Sequence, residues 1–266
     1  MIFDFSNKTV LITGAARGIG FTIAENFCKF GAHVVIADIN KQKGNDSVQK
    51  LIKRGYKCSY KFLDLNDFGV FDEFIDELIN EFNQIDILIN NARAGGKNTL
   101  LEEDFKNWDQ TSNVLLKSSF FLSQLLIKNI EKSKINTILN ISSVAGILAT
   151  PESPSYHASK GALISLTKYL AIEAGKYGVR VNCLLPGFIV QDEHLNRYND
   201  ENNSNFRKIS ETYQPLGKPG NEIDVAESAM FLCSSTSKYI NGVTFILDGG
   251  ATSQEQFGLS FKIAKI

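Results

Sequence analysis

Short runs of β-branched and other apolar residues alternate along this chain with longer stretches of helical period, and no other feature restricts the fold as strongly. A strand that feeds a helix and then a second strand returns to the same sheet through a parallel βαβ crossover, so repeated alternation predicts an open parallel sheet covered by helices. Strands are expected at 10–12, 34–37, 59–62, 85–89, 137–141, 179–184 and 243–247, and helices at 19–30, 41–54, 68–82, 114–130, 155–174 and 222–234. About seven strands with helices on both faces define a doubly wound α/β fold. No repeat, linker or low-complexity block divides the 266 residues, so residues 1–266 are expected to form one domain.

Composition narrows the partners. Lys and Arg number 28 against 29 Asp and Glu, a formal charge of -1, which leaves no field to gather nucleic acid or anionic lipid over the whole surface. A small-molecule partner is expected. Cys28, Cys58, Cys183 and Cys233 lie far apart, without a CxxC pair or the close Cys/His spacing of a structural zinc site, and read as buried apolar thiols with no metal. Charge interrupts the N-terminal residues before any signal-like apolar run, and no stretch is long enough to span a bilayer, so no membrane association and a cytoplasmic location are expected.

One segment breaks the alternation. Residues 191–213 are rich in Asn, Asp and Glu, follow the turn at Pro186 and Gly187, and have weak periodicity. Ligands in doubly wound sheets bind beyond the carboxyl ends of the strands, so an excursion after the sixth strand overhangs the crevice; residues of about 188–215 are expected to form a lid. Phe188, Tyr198, Phe206 and Tyr213 either line a pocket beneath it or anchor it.

Gly14, Gly18 and Gly20 fall between the first strand and the first helix, within TGAARGIG, with Arg17 and Ile19 between them. Glycines there permit a tight exit from the strand, close approach of a pyrophosphate and close helix–sheet packing, and the helix N-terminus favours an anion. This is the Rossmann-type arrangement for a dinucleotide. Asp38, at the end of the second strand, suits the adenine ribose hydroxyls and repels the extra phosphate of NADP, so NAD is favoured; Arg17 pulls toward NADP by offering a guanidinium to that phosphate. Asp64, with Leu65 alongside, is placed for the adenine amino group or else caps a helix, and Asn90 is placed to brace the loop beneath the cofactor.

Tyr156 and Lys160 stand four apart at the start of an expected helix and share one face. A nearby ammonium favours phenolate, which tunes the phenol toward general acid/base work. Ser142 and Ser143 end the fifth strand, where a hydroxyl reaches a reacting oxygen, and Asn113 is expected to open the preceding long helix.

Together these motifs resemble the short-chain dehydrogenase/reductase family in its single-domain branch, from Lys8-Thr9-Val10 through Asp248-Gly249-Gly250. TGAARGIG looks like its phosphate loop, and Asn90-Asn91-Ala92 like its NNAG motif. Asn113, Ser143, Tyr156 and Lys160 look like its catalytic set, while Asn182, Pro186 and Gly187, with Ile189 beyond, resemble the turn beside the nicotinamide. The resemblance implies proton exchange by Tyr156, polarisation of the same oxygen by Ser143, ribose contact by Lys160, a water relay at Asn113, hydride transfer at the nicotinamide and a tetramer or dimer. Asn91, Tyr156 and Lys160 then join the glycine turn as cofactor contacts.

Two positions depart from the family pattern: Arg93 stands where a glycine usually follows NNA, and Gln191 where a threonine usually follows PG. A guanidinium at Arg93 suits a carboxylate or phosphate on the substrate, such as an anionic sugar derivative or hydroxy acid. His194 in the lid is a further candidate substrate contact, whereas His33 and His157 lack metal partners. The tail 257–266 is apolar enough to pack on a neighbouring subunit. The competing readings are a 3-oxoacyl-(acyl-carrier-protein) reductase and a dinucleotide-binding regulator without turnover.

Overall fold

The computed structural model describes residues 3–264. Seven parallel strands form the sheet: β1 (Thr9–Thr13), β2 (His33–Asp38), β3 (Cys58–Phe62), β4 (Ile87–Asn90), β5 (Thr137–Ile141), β6 (Arg180–Pro186) and, after two short strands, β9 (Thr244–Leu247). Their order is β3-β2-β1-β4-β5-β6-β9, so the chain reverses its winding direction between β1 and β4. A doubly wound sheet opens its ligand crevice at the carboxyl end of that reversal.

The strands alternate their contacts between the two faces. Val10, Ile12, Val34 and Ile36 pack into one core beneath α1 (Gly18–Lys29), α2 (Lys41–Lys53) and α10 (Glu222–Cys233). Leu11, Val35 and Ala37 pack into the other, beneath α3 (Phe71–Phe82), α5 (Ser118–Lys128) and α7 (Pro154–Gly175). Successive side chains of a strand point to opposite faces, so a strand covered on both must be apolar throughout, which is why these runs lack polar alternation.

The helix expected at 114–130 begins earlier. Asp104 accepts from the Asn107 N–H and caps α4 (Phe105–Ser112), which continues through a π-turn at Asn113–Lys117 into α5. Asn113 therefore sits inside a helix rather than at its start; the interrupted apolar period at this turn hid the first two turns. A short α6 (Ile130–Ser133) precedes β5.

The irregular segment after β6 is helical. β7 (Ile189–Val190) pairs in parallel with β8 (Gly220–Asn221) and closes the base of an excursion containing α8 (Asp192–Asn199) and α9 (Ser204–Tyr213). The ring centroids of Phe188 and Phe206 are 6.0 Å apart and those of Phe188 and Tyr198 are 6.4 Å apart, so these aromatics anchor the excursion to itself. After β9, α11 (Gln256–Ile263) sets Phe257 edge-to-face against Phe261, with both residues exposed. The last two residues of the apolar tail lie outside the described residues. All four cysteines are buried free thiols.

Candidate active site

Three elements end at the same edge of the sheet and bring the chemistry together: the turn after β1, the segment after β5 and the first turns of α7. Gly14 and Gly18 have φ of 64° and 56°, a left-handed conformation open to glycine. A Cβ at Gly14 would stand 2.5 Å from the Ala92 Cα, so the turn needs glycine to lie against the loop after β4. Gly20 packs α1 on Ala15 and Asn91.

The turn delivers α1 with Arg17 at its N-cap, no side chain capping the first N–H groups and no acidic residue in the first turn. Uncapped donors at the positive end of a helix fit the phosphates of a dinucleotide. Ile19 belongs to this first turn. Over Gly18 lies the Gln191 side chain, with its Oε1 2.3 Å from where a Cβ would be built. Arg17 forms an ion pair with Glu193 on α8, Nη1 to Oε1 2.9 Å, so two contacts join the glycine turn to the start of the helical excursion.

Asp38 faces the same turn. Its Oδ2 accepts from the Ala16 N–H at 3.0 Å and its Oδ1 from the Asn40 N–H at 2.9 Å, which fixes the carboxylate at the end of β2. Asp64 accepts from the Asn66 N–H at 2.9 Å in a local turn; the cap of the next helical turn is Asp67. The Leu65 side chain is buried in the second core.

Several Asn side chains are spent on bracing. Asn91 Nδ2 donates to the carbonyls of Thr13 and Gly14, both at 3.0 Å, and locks β4 to the glycine turn. Asn90 Nδ2 donates to Asn140 Oδ1 at 2.8 Å within the sheet. Asn182 is buried in β6 and ties it to residues 240 and 243, away from the turn it was expected to serve. Pro186 ends β6, and Gly187 lets it pass Asp248, whose Cβ would lie 2.7 Å from an added Cβ. Ile189, half-buried in β7, packs on the first core.

Pro154 at the start of α7 and the Ser153 hydroxyl, which accepts from the Tyr156 N–H at 3.3 Å, set the helix so that Tyr156 lies in its first turn. Tyr156 and Lys160 share a face, with Nζ 5.6 Å from the phenol ring centroid. Ser142 donates to the Lys160 carbonyl at 2.8 Å, holding the helix to the end of β5 and leaving Ser143 beside the phenol. Asn113 Oδ1, in the π-turn packed on α7, is buried without a hydrogen-bond partner among the described residues, as an acceptor that takes a water or ligand would be.

The electrostatics differ from the expectation that Lys160 acidifies the phenol. Burial pushes the Tyr156 hydroxyl above its ordinary value; the Arg93 charge, with hydrogen bonding from Ser143 and Arg93, pulls it down, and Glu152 pushes it up. Lys160 is itself buried and donates from Nζ to the Ile141 carbonyl at 2.6 Å; burial above all, opposed by Cys183 and aided by the Arg93 charge, brings its value down to about 8. An ammonium aimed at a backbone carbonyl and partly neutralised above that pH is a weak acidifier of its neighbour.

A stability test follows from this burial. The folded-state value for Lys160, about 8, lies below the ordinary 10.5, so the unfolded chain binds more protons between those values and wild-type stability rises with pH across that window. Lys160→Met removes the buried charge. It should be more stable than wild type at pH 7 by about 1 kcal/mol or more, with the gap narrowing as pH rises toward 10.5. Denaturation midpoints of both proteins across this range check it, and a constant gap contradicts it.

Arg93 stands over the Tyr156 ring, Cζ to centroid 5.3 Å, and pairs with Glu152, Nη2 to Oε2 2.9 Å. Glu152 and Glu193, the α8 partner of Arg17, carried no motif in the sequence, because each acts through a contact distant along the chain. His194 is exposed on α8, 3.7 Å from Glu193, and is not brought to the phenol. A cleft of about 450 Å³ between α1, the excursion after β6 and α10 is lined by Glu25, Leu195, Tyr198 and Glu222 and by none of the phenol's partners.

The fold and this site define a dinucleotide-binding oxidoreductase of the doubly wound class. The family model described as enoyl-(acyl carrier protein) reductase matches residues 14–252. The chain is 33% identical to the 3-oxoacyl-(acyl-carrier-protein) reductase FabG of Chlamydia trachomatis, over 92% of this chain and 97% of that protein. It is 35% identical to the 7alpha-hydroxysteroid dehydrogenase of Bacteroides fragilis, over 93% and 95%. The solved gluconate 5-dehydrogenase of Burkholderia cenocepacia, in complex with NADP and tartrate, superposes with a TM-score of 0.85 at 30% identity over 96% of this chain and 98% of that one. The chain belongs to the short-chain dehydrogenase/reductase family, whose members act on CH–OH groups.

Proposed function

We propose that this protein is a single-domain, NAD-dependent dehydrogenase that interconverts a secondary alcohol and a ketone on a small anionic substrate, a hydroxy acid or sugar acid. The observation that carries the reading is the placement of Arg93 beside the Tyr156 phenol, at the edge of the sheet where the glycine turn also ends. Its side chain is 57% exposed and pairs with Glu152 through Nη2, so a substrate carboxylate can reach the fork beside or in place of Glu152 while a carbon bearing the hydroxyl lies near the phenol. The likeness to a gluconate 5-dehydrogenase agrees with an acidic polyol.

A bound nicotinamide supplies the hydride acceptor in oxidation and the donor in reduction. Tyr156 Oη takes the substrate hydroxyl proton in oxidation and returns it in reduction, and Ser143 Oγ hydrogen-bonds the same oxygen. Lys160 holds the nicotinamide ribose, Asn113 Oδ1 orients water that carries the proton onward, and the α1 N-terminus holds the phosphates. Asp38 takes the adenine ribose hydroxyls, and Arg17, engaged with Glu193, is drawn away from a 2′-phosphate. NADH formation with a panel of aldonates, hydroxy acids, neutral polyols and hydroxysteroids, using Tyr156→Phe as blank, tests it. Turnover confined to neutral substrates defeats the anionic assignment.

A second reading is supported by sequence kinship to FabG: reduction of 3-oxoacyl chains on a carrier protein. NADPH oxidation with a 3-oxoacyl thioester, in the absence of activity on the acids, selects it.

The working form is a homo-oligomer. Tyr169 and Ile172 on α7, Leu101 and Phe105 at α4, and Phe257 on α11 present large apolar side chains to solvent in the single chain. Light scattering should return a dimer or tetramer mass, and Tyr169→Glu with Ile172→Glu should lower it; a wild-type monomer refutes the assignment.

A further inference from the structure

The Tyr156 phenol is faced by an unequal set of charges. From α7 itself comes Lys160, whose Nζ is committed to the Ile141 carbonyl. From the loop after β4 comes Arg93, and from the segment before α7 comes Glu152, bonded to each other. Glu103, before α4, is directed to the Ser155 hydroxyl at 3.1 Å. Lys106, Asp109 and Lys117 on the helix packed against α7 are exposed to solvent. β6 contributes Cys183, a buried thiol that faces Lys160. Arg93 is thus the cation whose position against the phenol is not taken up by a backbone carbonyl, and Glu152 is the anion that limits it.

We propose that Arg93 is a further catalytic group of this enzyme, beside Asn113, Ser143, Tyr156 and Lys160: standing against the Tyr156 ring, it sets the pH at which the phenol exchanges its proton, and Glu152 holds it at partial strength. The proposal rests on the reading of Tyr156 as the acid/base. It adds to the anion-binding role of Arg93 an action on the phenol that operates with neutral substrates as well.

The physics requires little. A guanidinium near a phenol stabilises the phenolate through its charge and through contact with the ring face, and it keeps its own proton at every working pH. Lys160, lowered by burial to about 8, begins to lose its charge where alcohol oxidation needs phenolate. A permanent cation from a second loop supplies the charge across that range. Glu152 opposes it twice, by its own negative charge and by drawing the guanidinium to itself. A substrate carboxylate that takes the guanidinium from Glu152 inherits the same opposition, so binding and proton exchange become coupled.

Two experiments on the full-length protein separate this from a purely structural or purely substrate-binding Arg93. The first is an ultraviolet difference titration of the phenol, wild type minus Tyr156→Phe, repeated in Arg93→Ala, Arg93→Lys and Glu152→Gln backgrounds, with and without NAD. Arg93→Ala should move the Tyr156 transition to higher pH, Glu152→Gln to lower pH, and Arg93→Lys should restore most of the first shift. This readout needs no substrate, so it stands if the substrate assignment fails.

The second is the pH profile of kcat for oxidation of a neutral alcohol found in the panel. At pH 7 Arg93→Ala should lose about tenfold, with the deficit closing as pH rises, because phenolate recovers without the cation. An unmoved titration in Arg93→Ala overturns the proposal. A rise in KM for anionic substrates with an unchanged kcat profile overturns it as well, and leaves Arg93 as a substrate clamp.

Discussion

Tyr156→Phe should lower kcat for alcohol oxidation by about a thousandfold while leaving the NAD dissociation constant within a few-fold of wild type. The substitution removes one oxygen from a ring that is otherwise retained, and the ring is 7% exposed in a packed first turn of α7. Its neighbours Leu115 and Ala145 touch carbon, so packing survives. What is lost, on the proposed mechanism, is the group that exchanges the substrate proton. General acid/base contributions of about 10²–10⁴ in rate correspond to roughly 3–5 kcal/mol of barrier, larger than any single contact at this site supplies by positioning alone. Ser143 cannot substitute, because an aliphatic hydroxyl holds its proton far more tightly than a phenol. Single-turnover measurement of NADH formation reads the chemical step directly; a loss under tenfold, or a matching loss in NAD affinity, contradicts the assignment.

The architecture was legible because local and global preferences agree in it. Buried parallel strands must be continuous apolar runs, and Val10-Leu11-Ile12 or Ile138-Leu139 can be little else. The errors fell where a boundary depends on something outside the segment. α4 is short and polar, with Thr111 its one buried residue, so nothing in its period marks it. The π-turn at Asn113 then shifts the register of the apolar face, and the expected helix began beyond it. α8 and α9 bury only Ser210 between them, which leaves their sequence close to that of a loop.

The site was legible as residue types and less so as electrostatics. Spacing placed Tyr156 and Lys160 on one face, yet it could not reveal that the ammonium turns to the Ile141 carbonyl. Nor could it pair Arg93 with Glu152, 59 positions away, or Arg17 with Glu193, 176 positions away. Asn91 and Asn182 share the residue type of a ligand contact, but their amides close loops and strands, and that choice is decided by where neighbouring carbonyls end up. Arg93 was visible as a departure from a pattern; its partner across the crevice supplied the chemistry.

The proposed preference for NAD should yield to one uncharged substitution. Asp38→Asn keeps the shape and, with its one oxygen turned to the Ala16 N–H, the bond to the glycine turn, while the bond from the Asn40 N–H is given up together with the negative charge. In the wild type, a 2′-phosphate would have to settle beside a carboxylate that two backbone N–H groups hold at that position. At a separation of about 5 Å and an effective dielectric of about 20, a unit charge pair costs roughly 3 kcal/mol, or about a hundredfold in binding. The ratio of kcat/KM for NADP over NAD should therefore rise about a hundredfold in Asp38→Asn. Glu193→Gln should add only a few-fold more, since it frees Arg17 from an exposed pair that is worth little by itself. Combined, the two changes should exceed either alone, because the released guanidinium gains a phosphate partner only once the opposing carboxylate is gone. Steady-state kinetics with both cofactors on the four proteins reads every term. A wild type that already prefers NADP, or an Asn variant with an unchanged ratio, removes Asp38 as the determinant and shifts attention to the contacts that Gln191 and Glu193 make with the glycine turn.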